Sequence, residues 1–412
     1  MSVINTQSLL CDILKQIMKE KTNEHYTFNI DGGTNNSDGY MGEIVFFHVI
    51  LEDNERLNLV LKSAKSHKSL KEILFSDIIY NREFLMYTKV FPELEKFTKS
   101  KNVQDMATFI PKVWFAEKHL DQVNIVLENL KLQNFHICDR KKPMDSSHMR
   151  ILFDTYGKWH AISMAFRDQH PEKFSRLVEN WVDPKLKLIK SFGFVKHHGI
   201  DLSVVKKMSI ERKRFDLVKL LDSIEGQMED ILFRNYSEDE NLLIISHGDN
   251  WCNNYMFKYK ENEGTSTPTD VFFIDFQLSR LDSPALELSS TLYNMGDKET
   301  FKDFDNLLNI YYKSFSKTMK LLGSNPAKLF TMDDLKSHWK RHAVHTIVYV
   351  FVYLRISLCD ADDAPDLIKM AEDGTDFDGS FSFHTKNMDL FWERAYDIFI
   401  HYTEFVNKIS HK

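Results

Sequence analysis

Three oxygen-bearing side chains near the middle of the chain could do chemistry together. The segment LLIISHGDNWCNNYMFKYK is followed by a polar stretch, ENEGTSTPTD, and then by VFFIDFQ. Two short apolar runs, 242–245 and 271–274, are rich in β-branched and aromatic residues and read as buried, neighbouring strands joined by a polar loop. Asp249 and Asn254 stand just beyond the first run, and Asp275 closes the second. Such a set suits phosphoryl transfer, which needs positioning and charge neutralisation more than covalent chemistry from the protein. Asp249 would be the catalytic acid–base group, orienting an acceptor hydroxyl and taking its proton. Asn254 and Asp275 would be hard oxygen ligands for Mg²⁺, a metal that keeps few protein ligands beside water and nucleotide phosphates. ATP and Mg²⁺ are the cofactors this chemistry implies. Taken alone, His247-Gly248-Asp249 reads better as a turn, because Gly, Asp and Asn are common turn formers.

The five-residue step from Asp249 to Asn254 equals that of the kinase loop H-R-D-x-x-x-x-N, and Asp275-Phe276 matches the start of D-F-G. The segments HGDNWCNNYMFKY and VFFIDFQLSRLDSPALELSSTLY resemble the ecdysteroid kinase-like family of insects, also called CHK kinase-like. That family is similar in turn to choline kinases and aminoglycoside phosphotransferases. The resemblance extends from about Gly39 to the C-terminal helices. It implies an α+β, protein-kinase-like fold of two lobes. Residues 1–127 would form a small N-terminal lobe with an antiparallel, nucleotide-binding sheet. Residues 128–412 would form a large, mainly helical C-terminal lobe that carries the catalytic loops, with ATP lying between the two.

Other elements must bring partners to these groups. The run NIDGGTNNSDGYMGEIVFFHVIL places glycines before a strand over 44–51. Backbone N–H groups at Gly39 and Gly42 could approach phosphates there, and GYMGEIV resembles the family's nucleotide loop. An ordinary glycine-rich turn fits the same residues. In RLNLVLKSAK, strand alternation puts Leu57, Leu59 and Leu61 on one face and Lys62 on the other. Lys62 is the candidate phosphate-contacting lysine. A helix over 69–91 carries Glu83 on one stripe with Ile79, Met86, Tyr87 and Val90. An acid on an apolar stripe needs a partner, and Lys62 would supply it, as in the lysine–helix-glutamate pair of kinases.

The stretch PKVWFAEKHLDQVNIVLENL reads as two strands. The resemblance makes Glu128-Asn129-Leu130 the linker between lobes, with Glu128 and Leu130 beside the nucleotide base. Asn129 stands where relatives often have an acid. A helix over 149–166 carries His160 on its apolar face, the position of a satisfied core histidine rather than a catalytic one. Glu287, in SRLDSPALELSSTLY, stands where similar sequences often have an aspartate that braces the catalytic loop. Long helical patterns follow over 303–322, 332–358 and 386–406.

Composition narrows the function classes. The chain has 412 residues and a formal net charge of −7, which argues against a general nucleic-acid binder. The cysteines at 11, 138, 252 and 359 are scattered, without the paired spacing of a zinc site or a disulfide framework. The longest apolar run, HTIVYVFVYL, is too short to span a bilayer. No basic-then-apolar leader opens the sequence. A cytoplasmic protein is the expectation. Glycine at 248, where protein kinases carry arginine, and the lack of an A-P-E element favour a small-molecule acceptor. The family resemblance implies a hydroxylated lipophilic acceptor, an ecdysteroid or other steroid-like compound. The alternatives are a choline- or ethanolamine-type kinase, whose acceptor would want an aromatic and acidic cage, and a kinase-like binding protein that has lost transfer.

Overall fold

The computed structural model describes residues 3–20, 25–33, 42–64, 76–103, 108–119, 122–233, 243–262, 264–360, 362–363, 365–366, 369–370 and 373–410. Helix α1 (Val3–Glu20) precedes strands β1 (Tyr26–Gly33), β2 (Gly42–Leu51) and β3 (Arg56–Ala64). Helices α2 (Ser76–Leu85) and α3 (Phe91–Ser100) follow, then β4 (Val113–His119) and β5 (Gln122–Glu128). These strands form one antiparallel sheet in the order β1-β2-β3-β5-β4.

Period-2 alternation assigns the two faces of that sheet. Leu57, Leu59 and Leu61 of β3, with Phe47, Val49 and Val126, pack against Leu10, Ile13, Leu14 and Ile17 of α1. The opposite face offers Val123, Ile125 and Leu127 to Ile79, Met86, Tyr87 and Val90. Lys62, paired in register with Ile125, therefore points toward the layer that holds α2. The strand alternation read from sequence is present.

Two local expectations change. The glycine-rich run 31–33 was expected to be loop, yet it completes β1, with a register shift between Ile30 and Gly32. The helix expected over 69–91 is described from Ser76 and continues past Phe91 to Ser100. Pro92 does not stop it. A π-helical turn over Met86–Val90, closed by Phe91 N–H donating to Met86 O, precedes the proline at the start of α3, where no amide is needed.

The rest is mostly helical. A short strand β6 (Phe135–Ile137) leads to α4 (Ser146–Gln169), followed by α5 (Pro184–Ser191), α6 (Phe194–Glu211) and α7 (Phe215–Glu225). Strands β7 (Ile244–Ser246), β8 (Tyr255–Asn262), β9 (Thr265–Phe273) and β10 (Arg280–Asp282) carry the central motif. Helices α8 (Pro284–Met295), α9 (Phe304–Leu321), α10 (Met332–Leu358) and α11 (Met388–Ser410) complete the chain. Short helices at 171–177, 228–233, 298–301 and 326–329 connect them.

Helix α4 is the centre of this part, with Leu152, Phe153, Tyr156 and Trp159 fully buried. Gly157 lets α9 approach closely, since a Cβ there would lie 2.7 Å from both Ser314 Cβ and Tyr311 O. The apolar run at 345–354 lies inside α10 and is buried, and none of the described helices is long and apolar enough to cross a membrane. The expected α+β architecture, a small antiparallel sheet followed by a mainly helical remainder, is what the chain adopts.

Candidate active site

The two apolar runs of the central motif are not paired with each other. β7 pairs antiparallel with β10, whereas β8 and β9 form a hairpin to which β6 adds a third strand. Most of the stretch expected to be a polar loop is therefore strand. Pro268 fits because β9 is an edge strand and the register slips between Lys258 and Tyr259.

The two ends still meet. Ile274 N–H donates to Asn254 O at 3.0 Å. His247 Nε2–H donates to Ile274 O at 2.8 Å, while its Nδ1 accepts from Asp249 N–H at 3.3 Å. This network sets which ring nitrogen donates and which accepts. Gly248 (φ +83°) makes the turn, and a Cβ there would fall 2.1 Å from Leu278 O. Glycine at this point in H-G-D is thus set by space as well as by backbone conformation.

Asp249 is buried and held on both oxygens. Oδ2 accepts from Asn254 Nδ2 at 2.9 Å and Oδ1 from the Tyr353 hydroxyl at 2.9 Å. Burial, then the charge of Asp275, pushes its carboxyl above the ordinary aspartate value, against His247, Tyr353 and Asn254. That is the direction a general base needs to match its task. Asn254 Nδ2 also donates to Asp249 O at 2.9 Å, which leaves Asn254 Oδ1 as the atom able to face a cation.

Asp275 adopts a left-handed backbone conformation (φ 67°), and Lys62 lies between two acids. Lys62 Nζ is 2.7 Å from Glu83 Oε2 and 2.8 Å from Asp275 Oδ1. Burial opposes the ammonium, but Asp275 and Glu83 outweigh it and hold Lys62 above its ordinary value. Burial pushes the Glu83 carboxyl up to about 7, against the pull of Lys62 and with the help of Asp275. Ionisation of the wholly buried Glu83 is thus resisted.

The donor set fits Mg²⁺. Asp275 is 28% exposed on its side chain, and Lys62 contacts its Oδ1. No group of three or more His, Cys, Asp or Glu side chains with metal-site spacing occurs among the described residues. One carboxylate and one amide oxygen suit a metal that keeps water and phosphate in its shell, and do not suit a dedicated all-protein site.

The loop is braced from below. Glu287 Oε1 accepts from His247 N–H at 2.7 Å and Gly248 N–H at 3.1 Å, and Oε2 from His160 Nε2–H at 2.9 Å. His160 Nδ1 in turn accepts from the Tyr311 hydroxyl at 3.0 Å. Burial alone would raise the Glu287 carboxyl, yet His160 leads a set of contacts that holds it below its ordinary value. His160 is a satisfied core histidine, as its sequence position suggests. Replacing Glu287 with alanine should strand three buried donors and cost about 3 kcal/mol, read as a lowered urea midpoint. A cost below about 1 kcal/mol would contradict this bracing role.

The remaining sequence candidates are placed as follows. Gly39 lies outside the described residues. Gly42 opens β2 opposite Ala64, so it belongs to a strand rather than to a free loop. Glu128 ends β5, and its side chain accepts from Lys112 N–H at 2.8 Å and Gln133 Nε2 at 2.7 Å. Asn129 caps the following turn by accepting from Lys131 N–H at 3.1 Å, which gives that residue a local reason. Leu130 is buried in an apolar patch with Phe135, Met256, Phe272 and Ile274, next to Asp275.

Sequence reasoning missed Tyr353, Arg280 and Asn250. Arg280 donates to Gly248 O at 2.9 Å and pairs with Asp282 at 2.7 Å. Asn250 Nδ2 donates to the Tyr156 hydroxyl at 2.7 Å, and Asn294 donates to Asn250 O at 2.8 Å. The only sequence signal for Tyr353 was its place four residues after Tyr349 on one helical face.

Among curated proteins, none matches the chain. Among solved structures, it is similar to a GDP complex of a mutant aminoglycoside 2′-phosphotransferase-IIIa. The identity there is 11%, with 92% of this chain and 95% of that chain covered, at a TM-score of 0.34. A model of the ecdysteroid kinase-like family matches residues 36–324, most of the chain, and the chain therefore belongs to that family.

Proposed function

We propose that the protein transfers the γ-phosphate of ATP, with Mg²⁺, to a hydroxyl group of a small lipophilic alcohol, an ecdysteroid or other steroid-like compound. The observation that carries this reading is Lys62 held between Glu83 and Asp275 at 2.7 and 2.8 Å, with Asp249 and Asn254 tied to the same strand end. Asn254 and Asp275 would hold the metal, whose chemistry when bound is to offset phosphate charge. Lys62, fixed by Glu83, would contact the nucleotide phosphates, and backbone at Gly39 and Gly42 would cover them. The base would lie on the Leu130, Met256 and Ile274 patch, beside the linker at Glu128. The lobe boundary near residue 127 would place it at a junction, where ligand sites are common.

Asp249 would take the acceptor hydroxyl proton as the new O–P bond forms. The bond from the γ-phosphorus to the bridging oxygen breaks, and ADP leaves with that electron pair. Beyond Asp249 the wall is aromatic. Tyr353 and Tyr349 have centroids 5.8 Å apart, Tyr349 and Phe194 5.4 Å, and Phe192 and Phe381 4.6 Å. Asp201, behind this wall, is taken by a two-point pair with Arg355 at 2.6 and 2.8 Å. The Tyr349 face already carries the Lys185 ammonium, 4.0 Å from its centroid. Both features favour a neutral acceptor over a quaternary ammonium.

The test is transfer of label from γ-³²P ATP, with and without Mg²⁺, to a panel of steroid alcohols, choline, ethanolamine and water. Labelled steroid product supports the proposal. Labelled choline alone would replace the acceptor class. Nucleotide binding without transfer to any hydroxyl would favour a binding protein. We assign the reaction to the cytoplasm on the strength of the four unpaired cysteines.

A further inference from the structure

Among the described residues, one buried cation near the site has no carboxylate within ion-pair distance. Lys185 lies in the first turn of α5, where Asp183 caps the helix by accepting Lys185 N–H at 2.8 Å. The residue is only 5% exposed. Its ammonium rests on the Tyr349 ring, and among the described residues no carboxylate comes within ion-pair distance of it. The acids it feels are Asp282, Asp183 and Asp249, and Arg280 repels it. Asp282 already pairs with Arg280 at 2.7 Å, and Asp249 is held by Tyr353 and Asn254. Burial, then Arg280, lowers the Lys185 ammonium to about 7. A buried, unpaired ammonium is costly, and folding alone gives no reason to keep it.

The catalytic segment HGDNWCNN, 247–254, contains no lysine or arginine. Lys62 already has two acids and stands at the strand end, on the nucleotide side. Charge on the moving phosphoryl oxygens needs a cation facing the acceptor as well. Lys185, on the ring of Tyr349, whose neighbour Tyr353 holds Asp249, is placed for it. Resting on the phosphotransferase reading above, we propose that Lys185 binds the γ-phosphoryl oxygens of the nucleotide on the acceptor side. It would keep that contact while the O–P bond to the acceptor forms, the bond to ADP breaks and Asp249 receives the proton. A phosphoryl group would be the counter-ion that the resting site lacks.

Calorimetric titration of the full chain with Mg²⁺–AMPPNP and Mg²⁺–ADP tests this without knowing the acceptor. Lys185→Met should weaken AMPPNP about 10-fold or more, a charged hydrogen bond being lost, and leave ADP affinity essentially unchanged. Lys185→Gln should do the same, and Lys185→Arg should retain most of the preference. The Tm of the Met variant without nucleotide should equal or exceed that of the parent, because an uncompensated charge has gone. Equal affinity changes for both nucleotides, no change for either, or failure of the Met and Gln variants to fold would overturn the proposal. If the parent chain binds neither nucleotide, the phosphotransferase reading itself falls, and this inference with it.

Discussion

Asp249→Asn should lower kcat by about 10³-fold, within the range by which positioned acid–base groups accelerate transfer, while nucleotide affinity stays close to the parent value. The reason is local. Asp249 is buried with one oxygen held by Asn254 and the other by Tyr353, so its angle to an incoming hydroxyl is fixed before substrate arrives. An asparagine keeps the shape but cannot accept a proton. Rapid-quench transfer measurements and calorimetric binding, made on the same preparation, separate the two effects. A variant with unchanged kcat would remove Asp249 from the mechanism.

The same residue carries a pH signature. Burial and Asp275 raise its carboxyl, and the group must be ionised to act as a base. Activity should therefore fall on acidification at a pH above that of an exposed aspartate, and be retained on the alkaline side of that limb. A profile flat down to the ordinary aspartate range would contradict the assignment.

Lys62→Met should be nearly as damaging, by a different route. Removing the ammonium leaves Glu83, 1% exposed, and Asp275 without the cation that lies 2.7 and 2.8 Å from them. Breaking a buried pair in this way costs about 3–5 kcal/mol. Because Asp275 is 28% exposed on its side chain, solvent should relieve part of that, and the lower end is the better expectation. On the kinetic side, losing a fixed cation on the phosphates should reduce kcat/KM for ATP by about 10²- to 10³-fold. Glu83→Gln in the Lys62→Met background should then cost little more, since the pair acts as a unit. Additive losses across that double-mutant cycle, measured in both denaturant unfolding and kcat/KM, would show that the two residues work separately.

Local rules made much of this site legible. Lys62 could be assigned to one face because Leu57, Leu59 and Leu61 fill the other, and that face meets α2. Glu83 stood out as an acid on an apolar stripe, and its partner followed from charge. Asp249, Asn254 and Asp275 stood out as candidates from residue type, spacing and flanking apolar runs. What the sequence concealed is long-range. Which strand pairs with β7 depends on β10, beyond the motif, so the two apolar runs looked like neighbours. Gly264 and Pro268 made β8–β9 resemble a loop, although Gly264 stands in the turn before β9 and an edge strand tolerates Pro268. Tyr353 sits inside an apolar run, where a tyrosine reads as packing. Lys185 lies 64 residues before Asp249, and only its contact with the Tyr349 ring of α10 brings it toward the site.

The central claim is that Asp249, Asn254, Asp275 and Lys62 surround one divalent ion and one triphosphate. The most direct measurement is a crystal structure of the chain with Mg²⁺ and AMPPNP. The account predicts Mg²⁺ bound by Asn254 Oδ1 and an Asp275 oxygen, Lys62 on the phosphates, and the terminal phosphorus facing Asp249. Nucleotide bound elsewhere, or a terminal phosphate separated from Asp249 by intervening protein, would contradict it.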